Sequence, residues 1–447
     1  MSTGYTRRGL LKKGAALAGA AAATDLLNMP YLMAQPKSAG KLNVAVIGAG
    51  GMGGYSVDSA LEENLVALCD IDDNTLASVL KDKVKDRPQP KVYNDFREML
   101  AKSGKEIDVV LIATPDHCHA PAAIRAINMG KHVFCQKPLA HNIHECDALA
   151  KAAKRKKVLT QMGNQGYCSE TMRRVAEYVQ AGTIGNVLES HTILGRNFGG
   201  NDGRPPTKPV PKGVHWDTWI GPAPYREYHD GLHPFSWRDY KQFGTGTIGD
   251  MACHHVAVPF MALKLWEIPN FTIECINTAS GSDEKYQQDN VVCYHIPARP
   301  GIPAFKMFVY DHEGLKPEIM KETEKQEERK FGEFTLFVGD KGKLGSDALL
   351  IPFSRHEQVP APAKTLPRAK NEGPIQDLFA CIKNGGTPAS NFANAAAPLT
   401  IIALTGHLAQ AAGKGAKVDW DMKKMQCTNM PELNKLVKRS YRKGWEV

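Results

Sequence analysis

The chain has 447 residues, with 56 Lys+Arg against 47 Asp+Glu for a formal charge of +9, and it is 43% hydrophobic and 23% charged. This composition excludes collagen-like, coiled-coil and disordered chains, and the length suits two domains that each bury a core. The positive excess is modest and partly N-terminal, and no basic block carries interleaved aromatics, so no nucleic-acid partner is expected.

The chain opens with Thr6-Arg7-Arg8-Gly9-Leu10-Leu11-Lys12-Lys13, then a small apolar stretch from Gly14 to Ala23 that Thr24 and Asp25 interrupt. A charged start and a short, weakly hydrophobic run predict a targeting leader over residues 1–34. It falls well short of the roughly 20 residues a bilayer span needs, so no stable membrane span is expected. The twin arginine resembles a Tat signal and predicts export of a folded protein to the periplasm. Leu32-Met33-Ala34 marks a cleavage point poorly, which leaves a leader anchor open. Ten cysteines without a C-x-x-C pair read as buried thiols. His117-Cys118-His119 and His254-His255 lack a ligand set at a recognised spacing, so no metal site is expected.

Lys41 to Ile47 is an apolar, β-branched run and predicts a buried strand. It leads into Gly48-Ala49-Gly50-Gly51-Met52-Gly53-Gly54, where Gly48, Gly50 and Gly53 spell G-x-G-x-x-G ahead of a helical segment. The first glycine permits the tight turn, the second lets backbone approach a pyrophosphate, and the third packs helix on strand, so this turn, Gly51 and Met52 included, is a candidate dinucleotide site. A second strand, Leu65 to Cys69, ends at Asp70, 22 residues beyond Gly48. A carboxylate there accepts from ribose hydroxyls, and with Ile71, Asp72 and Asp73 following, a 2′-phosphate would meet negative charge. NAD is the expected cofactor.

The alternation continues with Asp95 capping a helix over 96–100 and strands over 108–113, 132–135 and 158–162. Helices are expected over 119–129 and 143–156. This pattern predicts a doubly wound parallel sheet whose ligand lies beyond the carboxyl ends of its strands. Beyond it come a helix over 170–181 and strand-like runs over 187–194, 271–277, 290–296, 304–311 and 334–338. Asp250 and His254 are four residues apart in an expected helix over 250–265, kinked or stopped at Pro259, and so share one face. The carboxylate can then orient the imidazole and raise its basicity. Between residues 215 and 243 eight aromatics crowd among His and Arg residues, Trp237 and Arg238 included, which suits either a sugar's faces and hydroxyls or an aromatic mini-core.

The glycine loop, Ala113-Thr114-Pro115 with His119, Gly130 to Pro138 ending in Gln136-Lys137-Pro138, and Gly249-Asp250 with His254 together resemble the Gfo/Idh/MocA oxidoreductase family over roughly residues 41–412. The resemblance implies an α/β fold: an N-terminal Rossmann doubly wound parallel sheet (41–165) and a C-terminal α+β domain with an open, mostly antiparallel sheet (166–412), followed by an extension over 413–447. It implies that Lys137 stands near the nicotinamide and the reacting carbinol. Gln136 replaces the family's usual glutamate and can still bond a ribose hydroxyl. The family's NAD-using glycosidase branch has lost this lysine, so its retention favours dehydrogenase-like chemistry.

The expected catalytic residues are thus Lys137, Asp250 and His254. Thr114, Pro115, His119, Gln136 and Asn164 join the glycine turn and Asp70 as cofactor-binding candidates. Gln165, Trp237 and Arg238, with the catalytic three, are the substrate-binding candidates. The expected activity is NAD-dependent oxidation of a sugar, polyol or glycoside hydroxyl, with the cofactor held tightly and recycled. The alternatives are a glycoside hydrolase or lyase working through transient oxidation, and a non-catalytic sugar sensor. A homo-oligomer is left open.

Overall fold

A continuous run of buried apolar side chains makes β1 (Asn43–Ile47) an inner strand of a parallel sheet in the computed structural model, which describes residues 40–447. Its partners are β2 (Asn64–Cys69), β3 (Lys91–Tyr93), β4 (Val109–Ile112), β5 (His132–Cys135) and β6 (Thr160–Met162), all parallel, in the order β3-β2-β1-β4-β5-β6. The order reverses between β1 and β4, and the open crevice at that switch point is where this topology takes a ligand. The expected leader lies outside the described residues.

Helix boundaries follow capping chemistry. The Asp72, Asp95 and Asn142 side chains accept amide N–H groups at the starts of helices Asp73–Asp82, Phe96–Ser103 and Ile143–Lys156. The helix expected from His119 begins earlier, at Asp116, directly after Pro115. Proline presets φ for a helix entry, which pulls the start forward by three residues.

The second sheet has nine strands in the order β13-β12-β11-β7-β10-β9-β8-β14-β15. β7 (Val187–Ile193), β8 (Asn270–Asn277), β9 (Val291–Ile296), β10 (Phe305–Tyr310) and β11 (Phe334–Gly339) fall where alternation puts them. β12 (Gly342–Gly345), β13 (Leu350–Ile351), β14 (Lys417–Asp421) and β15 (Gln426–Cys427) are too short to show a period. Within this sheet, among the described residues, only β7 and β10 pair in parallel; its other pairings are antiparallel.

The helix expected over 250–265 is two helices, Gly246–His255 and Ala257–Ala262, broken at Val256. Pro259 has no N–H for the carbonyl of His255, which instead accepts from Thr335 Oγ1 at 3.4 Å. The break therefore falls one turn ahead of the proline. Helix Pro374–Asn384 packs Ile375, Leu378, Phe379 and Ile382 against Val44, Val46, Val109 and Leu111 of the first sheet. The helical run 392–412 is long and apolar enough to cross a bilayer, yet 78% of its most apolar window is buried inside the fold. The last residues return to the first sheet's helices, where Arg439 meets Glu145 at 2.7 Å and Trp445 packs on Phe96 and Arg97. All ten cysteines are free and buried.

Candidate active site

The turn after β1 is shaped by steric exclusion. A Cβ at Gly48 (φ 83°) would stand 2.6 Å from the carbonyl oxygen of Ala113, and one at Gly53 2.2 Å from that of Gly48. Neither position admits a side chain, and the turn brings the N-terminus of helix Gly53–Ala60 to the mouth of the crevice, where the helix dipole favours an anion. Asp70 caps the arrangement: its carboxylate accepts the N–H of Ala49 at 2.7 Å and of Asp72 at 3.0 Å. Burial pushes this carboxyl above the ordinary range, and those amides pull it back.

A cleft of about 870 Å³ starts at the turn. Gly48, Gly50, Gly51, Met52, Asp70, Thr114, Pro115, Gln136 and Lys137 form one wall; Trp219, His233, Phe235, Trp237 and Arg238 from the second half of the chain form the other. The walls are tied by main chain, with Asp73 N donating to Gly213 O at 2.9 Å and His215 N to Ile71 O at 2.8 Å. Among the described residues, Thr114 Oγ1, Gln136 Nε2 and Asn164 Oδ1 are buried without a hydrogen-bond partner. Thr114 and Gln136 line the cleft and Asn164 does not; these two orphans, the glycine cradle and the Asp70 carboxylate fit a dinucleotide whose polar groups can complete them.

At the deep end Lys137, which follows β5, places its ammonium 2.9 Å from Asp250 Oδ1 and 3.3 Å from the Asp250 carbonyl oxygen. Arg238 approaches the same oxygen at 3.5 Å, its guanidinium lying over the rings of Trp237 at 4.2 Å and Phe235 at 4.5 Å. One carboxylate thus holds two cations at the end of the cleft.

This geometry corrects the expected Asp250–His254 pair. The carboxylate is taken by Lys137, and a cation is a stronger partner for it than a neutral imidazole. Burial, with Lys137 next, lowers His254 to about 3, so its basicity falls although Asp250 pulls the other way. His254 is bonded to the backbone of Gln165. Gln165 itself is exposed, and neither it nor His254 is part of the cleft wall. Asn164 donates Nδ2 to Cys253 O at 3.3 Å. His119 also stands behind the wall, with Nδ1 2.7 Å from Pro138 O and Nε2 2.8 Å from Thr114 O; its single ring N–H donates to one of the two carbonyls, and the ring packs between the segments that carry Thr114 and Lys137. Burial lowers it to about 4, which keeps the ring neutral.

The aromatics of 215–243 resolve both ways. Trp216, Trp219, Tyr228, Trp237, Tyr240 and Phe243 share a small core of their own, and Trp219, Tyr228 and Trp237 also present an edge to the cleft. Asp116 is the residue that sequence reasoning missed. It lines the cleft, 1% exposed, and accepts from Thr245 Oγ1 at 2.7 Å. A proline followed by an acid is a helix-start signal that could have found it.

Residues 42–164 match the model of the Gfo/Idh/MocA oxidoreductase family's NAD-binding Rossmann fold, and residues 172–273 match that of its C-terminal alpha/beta domain. The chain belongs to the Gfo/Idh/MocA oxidoreductase family. Its nucleotide site is an NAD site, as Asp70 requires.

Among curated relatives of this family, a glycosyl hydrolase family 109 protein of Shewanella baltica is 34% identical over 205 residues, 41% of this chain and 44% of its own length. A levoglucosan dehydrogenase of Pseudarthrobacter phenanthrenivorans is 29% identical over 162 residues, 36% of this chain and 34% of its own. The chain therefore spans less than half the length of these relatives. The WlbA dehydrogenase of Bordetella pertussis, solved with NADH and UDP-GlcNAcA, shares the fold at a TM-score of 0.57 with 14% identity, covering 84% of this chain and 98% of that one. An aldose-aldose oxidoreductase of Caulobacter crescentus does so at 0.56 with 17% identity, covering 85% and 99%.

Proposed function

We propose that the protein is an exported, NAD-dependent oxidoreductase that removes hydride from a hydroxyl-bearing carbon of a sugar, polyol or glycoside and keeps its cofactor bound between half-reactions. The observation that carries this reading is the Lys137–Asp250 pair at 2.9 Å, standing at the end of a cleft that begins on the glycine turn. NAD, when bound, supplies the hydride acceptor. The glycine turn and the N-terminus of helix Gly53–Ala60 hold its pyrophosphate, Asp70 a ribose, and Gln136 and Thr114 polar groups further along. Lys137 directs its ammonium to the carbinol oxygen and stabilises alkoxide character there, while Asp250 fixes the ammonium's position. His254, lowered to about 3 by burial and outside the cleft wall, is not the proton acceptor in this reading; the hydroxyl proton leaves to solvent through the open cleft. Trp237 and Arg238 offer an aromatic face and donors to a sugar ring.

The retained cofactor follows from two considerations. The second wall of the cleft is hydrogen-bonded onto the segment after β2, which hinders release of the adenosine end. The twin-arginine leader, which we read as a periplasmic Tat signal, would take the enzyme to a compartment without an assured NAD pool. Mass spectrometry of the small molecules freed by denaturing the dialysed protein tests this: NAD at close to one per chain is expected, and a protein free of nicotinamide overturns retention.

The family 109 hydrolase relatives favour a second reading, redox-neutral glycoside cleavage, in which oxidation acidifies a neighbouring C–H and lets the glycosidic oxygen leave. Retention of Lys137 weighs against it. Aryl glycosides separate the two, since release of the aglycone without net NADH means cleavage.

A further inference from the structure

We propose that Asp116 is a positioning residue of the catalytic centre: a second carboxyl whose proton sets the charge that Lys137, Asp250 and Arg238 present to the nicotinamide. This inference rests on the NAD-dependent reading above and deepens it.

Asp116 opens helix Asp116–Asn128 immediately after the Thr114-Pro115 turn, and it lines the cleft together with Lys137 and Arg238. Its Oδ2 accepts from Thr245, the residue that leads into helix Gly246–His255, so the carboxyl bridges the nucleotide domain to the helix that carries Asp250. The charged groups facing it are Lys137 from the end of β5, Arg238 from the turn Ser236–Asp239 and Asp250 from helix Gly246–His255. Cys135, Cys253 and Tyr286 also face it, and burial pushes each of them up, so they stay neutral. His407 is bonded to the carbonyl of Thr245 and to Gln410 instead of to the carboxyl.

The cluster therefore holds two fixed cations, one carboxylate paired with both, and Asp116. With Asp116 ionised the four charges cancel; with Asp116 protonated one positive charge is left over. Burial and the neighbouring Asp250 push Asp116 from 3.8 to about 7, against the pull of Thr245, Arg238 and Lys137. The balance thus changes near neutral pH. An oxidised nicotinamide ring is a cation and a reduced one is neutral, so the ionised carboxyl favours the oxidised cofactor and the protonated carboxyl the reduced one. Rising pH then holds the bound cofactor in its oxidised form, and falling pH favours its reduction by the substrate.

The test is the binding of NADH, followed by its fluorescence, and of NAD by competition, on the full chain stripped of nucleotide, between pH 5.5 and 8.5. The preference for NAD over NADH is expected to grow by about threefold or more across that range. Asp116→Asn, which keeps an acceptor for Thr245, should flatten it. Asp311→Asn is the control. Asp311 is another buried carboxyl pushed to about 7, bonded by Asn290 away from the cleft, so its removal alters the pH dependence of Tm and leaves the preference unchanged. If Asp116→Asn fails to fold, Thr245→Val serves: loss of the donated hydrogen bond should move the midpoint of the preference to higher pH. A preference that does not vary with pH, a slope that survives Asp116→Asn, or a midpoint that Thr245→Val leaves in place overturns the proposal. Absence of binding by both nucleotides overturns the NAD-dependent reading instead.

Discussion

The two ends of the cleft are built from different materials. At the glycine-turn end the work is done by backbone: a turn closed to side chains at Gly48 and Gly53, a helix N-terminus, and a carboxylate held by the N–H groups of Ala49 and Asp72. At the other end it is done by side chains from three separate segments, the cations Lys137 and Arg238 gathered on the Asp250 carboxylate. A site of the first kind is set by sterics and backbone geometry. A site of the second kind depends on protonation and on how accurately distant segments meet.

That contrast can be broken at either end. Lys137→Ala is the largest expected effect: loss of a preorganised donor to the alkoxide should lower kcat/KM by about 10²–10³-fold, with bound nucleotide retained in the mass spectrum. Retained turnover would remove the charge-built end from the chemistry. Gly53→Ala forces a methyl into the Gly48 carbonyl. It should cost about 1–3 kcal/mol in denaturant unfolding and release the nucleotide, whatever the pH. His254→Gln sharpens the titration side. His254 lies at about 3 in the fold against an ordinary 6.5, so between those values the unfolded chain binds a proton that the folded chain does not. Stability therefore rises with pH through this window and is lost as pH falls toward 3. The variant should show a smaller gain in Tm between pH 4 and pH 7. The smallest effect belongs to Gln165→Ala: its side chain is exposed and its backbone serves His254, so stability should change by under about 0.5 kcal/mol and turnover should be unaltered.

The same contrast explains what the sequence revealed. The glycine-turn end is local: strand, glycine turn and Asp70 occupy one short stretch, and each residue's duty follows from its own backbone. The strands of the second sheet were equally readable wherever they were long enough for alternation to repeat, as in Val187–Ile193 and Phe305–Tyr310. The four-residue spacing of Asp250 and His254 correctly placed them on one helix, Gly246–His255, but spacing ranks only local partners. Lys137, 113 positions away, took the carboxylate because an ammonium outbids an imidazole that burial keeps neutral. Asp116 was overlooked because its helix was started at His119, which left the acid in an unassigned turn. His119, expected to bind the cofactor, has its ring nitrogens directed at the carbonyls of Pro138 and Thr114. Arg238 was picked out, but its reach to Asp250 could not be, since it lies on an irregular turn with no period to read.

Helix Pro374–Asn384 has one more consequence. Its apolar face completes the packing of Val44, Val46, Val109 and Leu111, and Lys383 is paired with Glu63 beside it. The nucleotide-binding half thus stays open on one side during synthesis until the ribosome has delivered residues more than two hundred positions downstream. A fragment cut at the end of β6 would leave that face wet and adhesive, so heat or denaturant should melt the two sheets in a single cooperative transition.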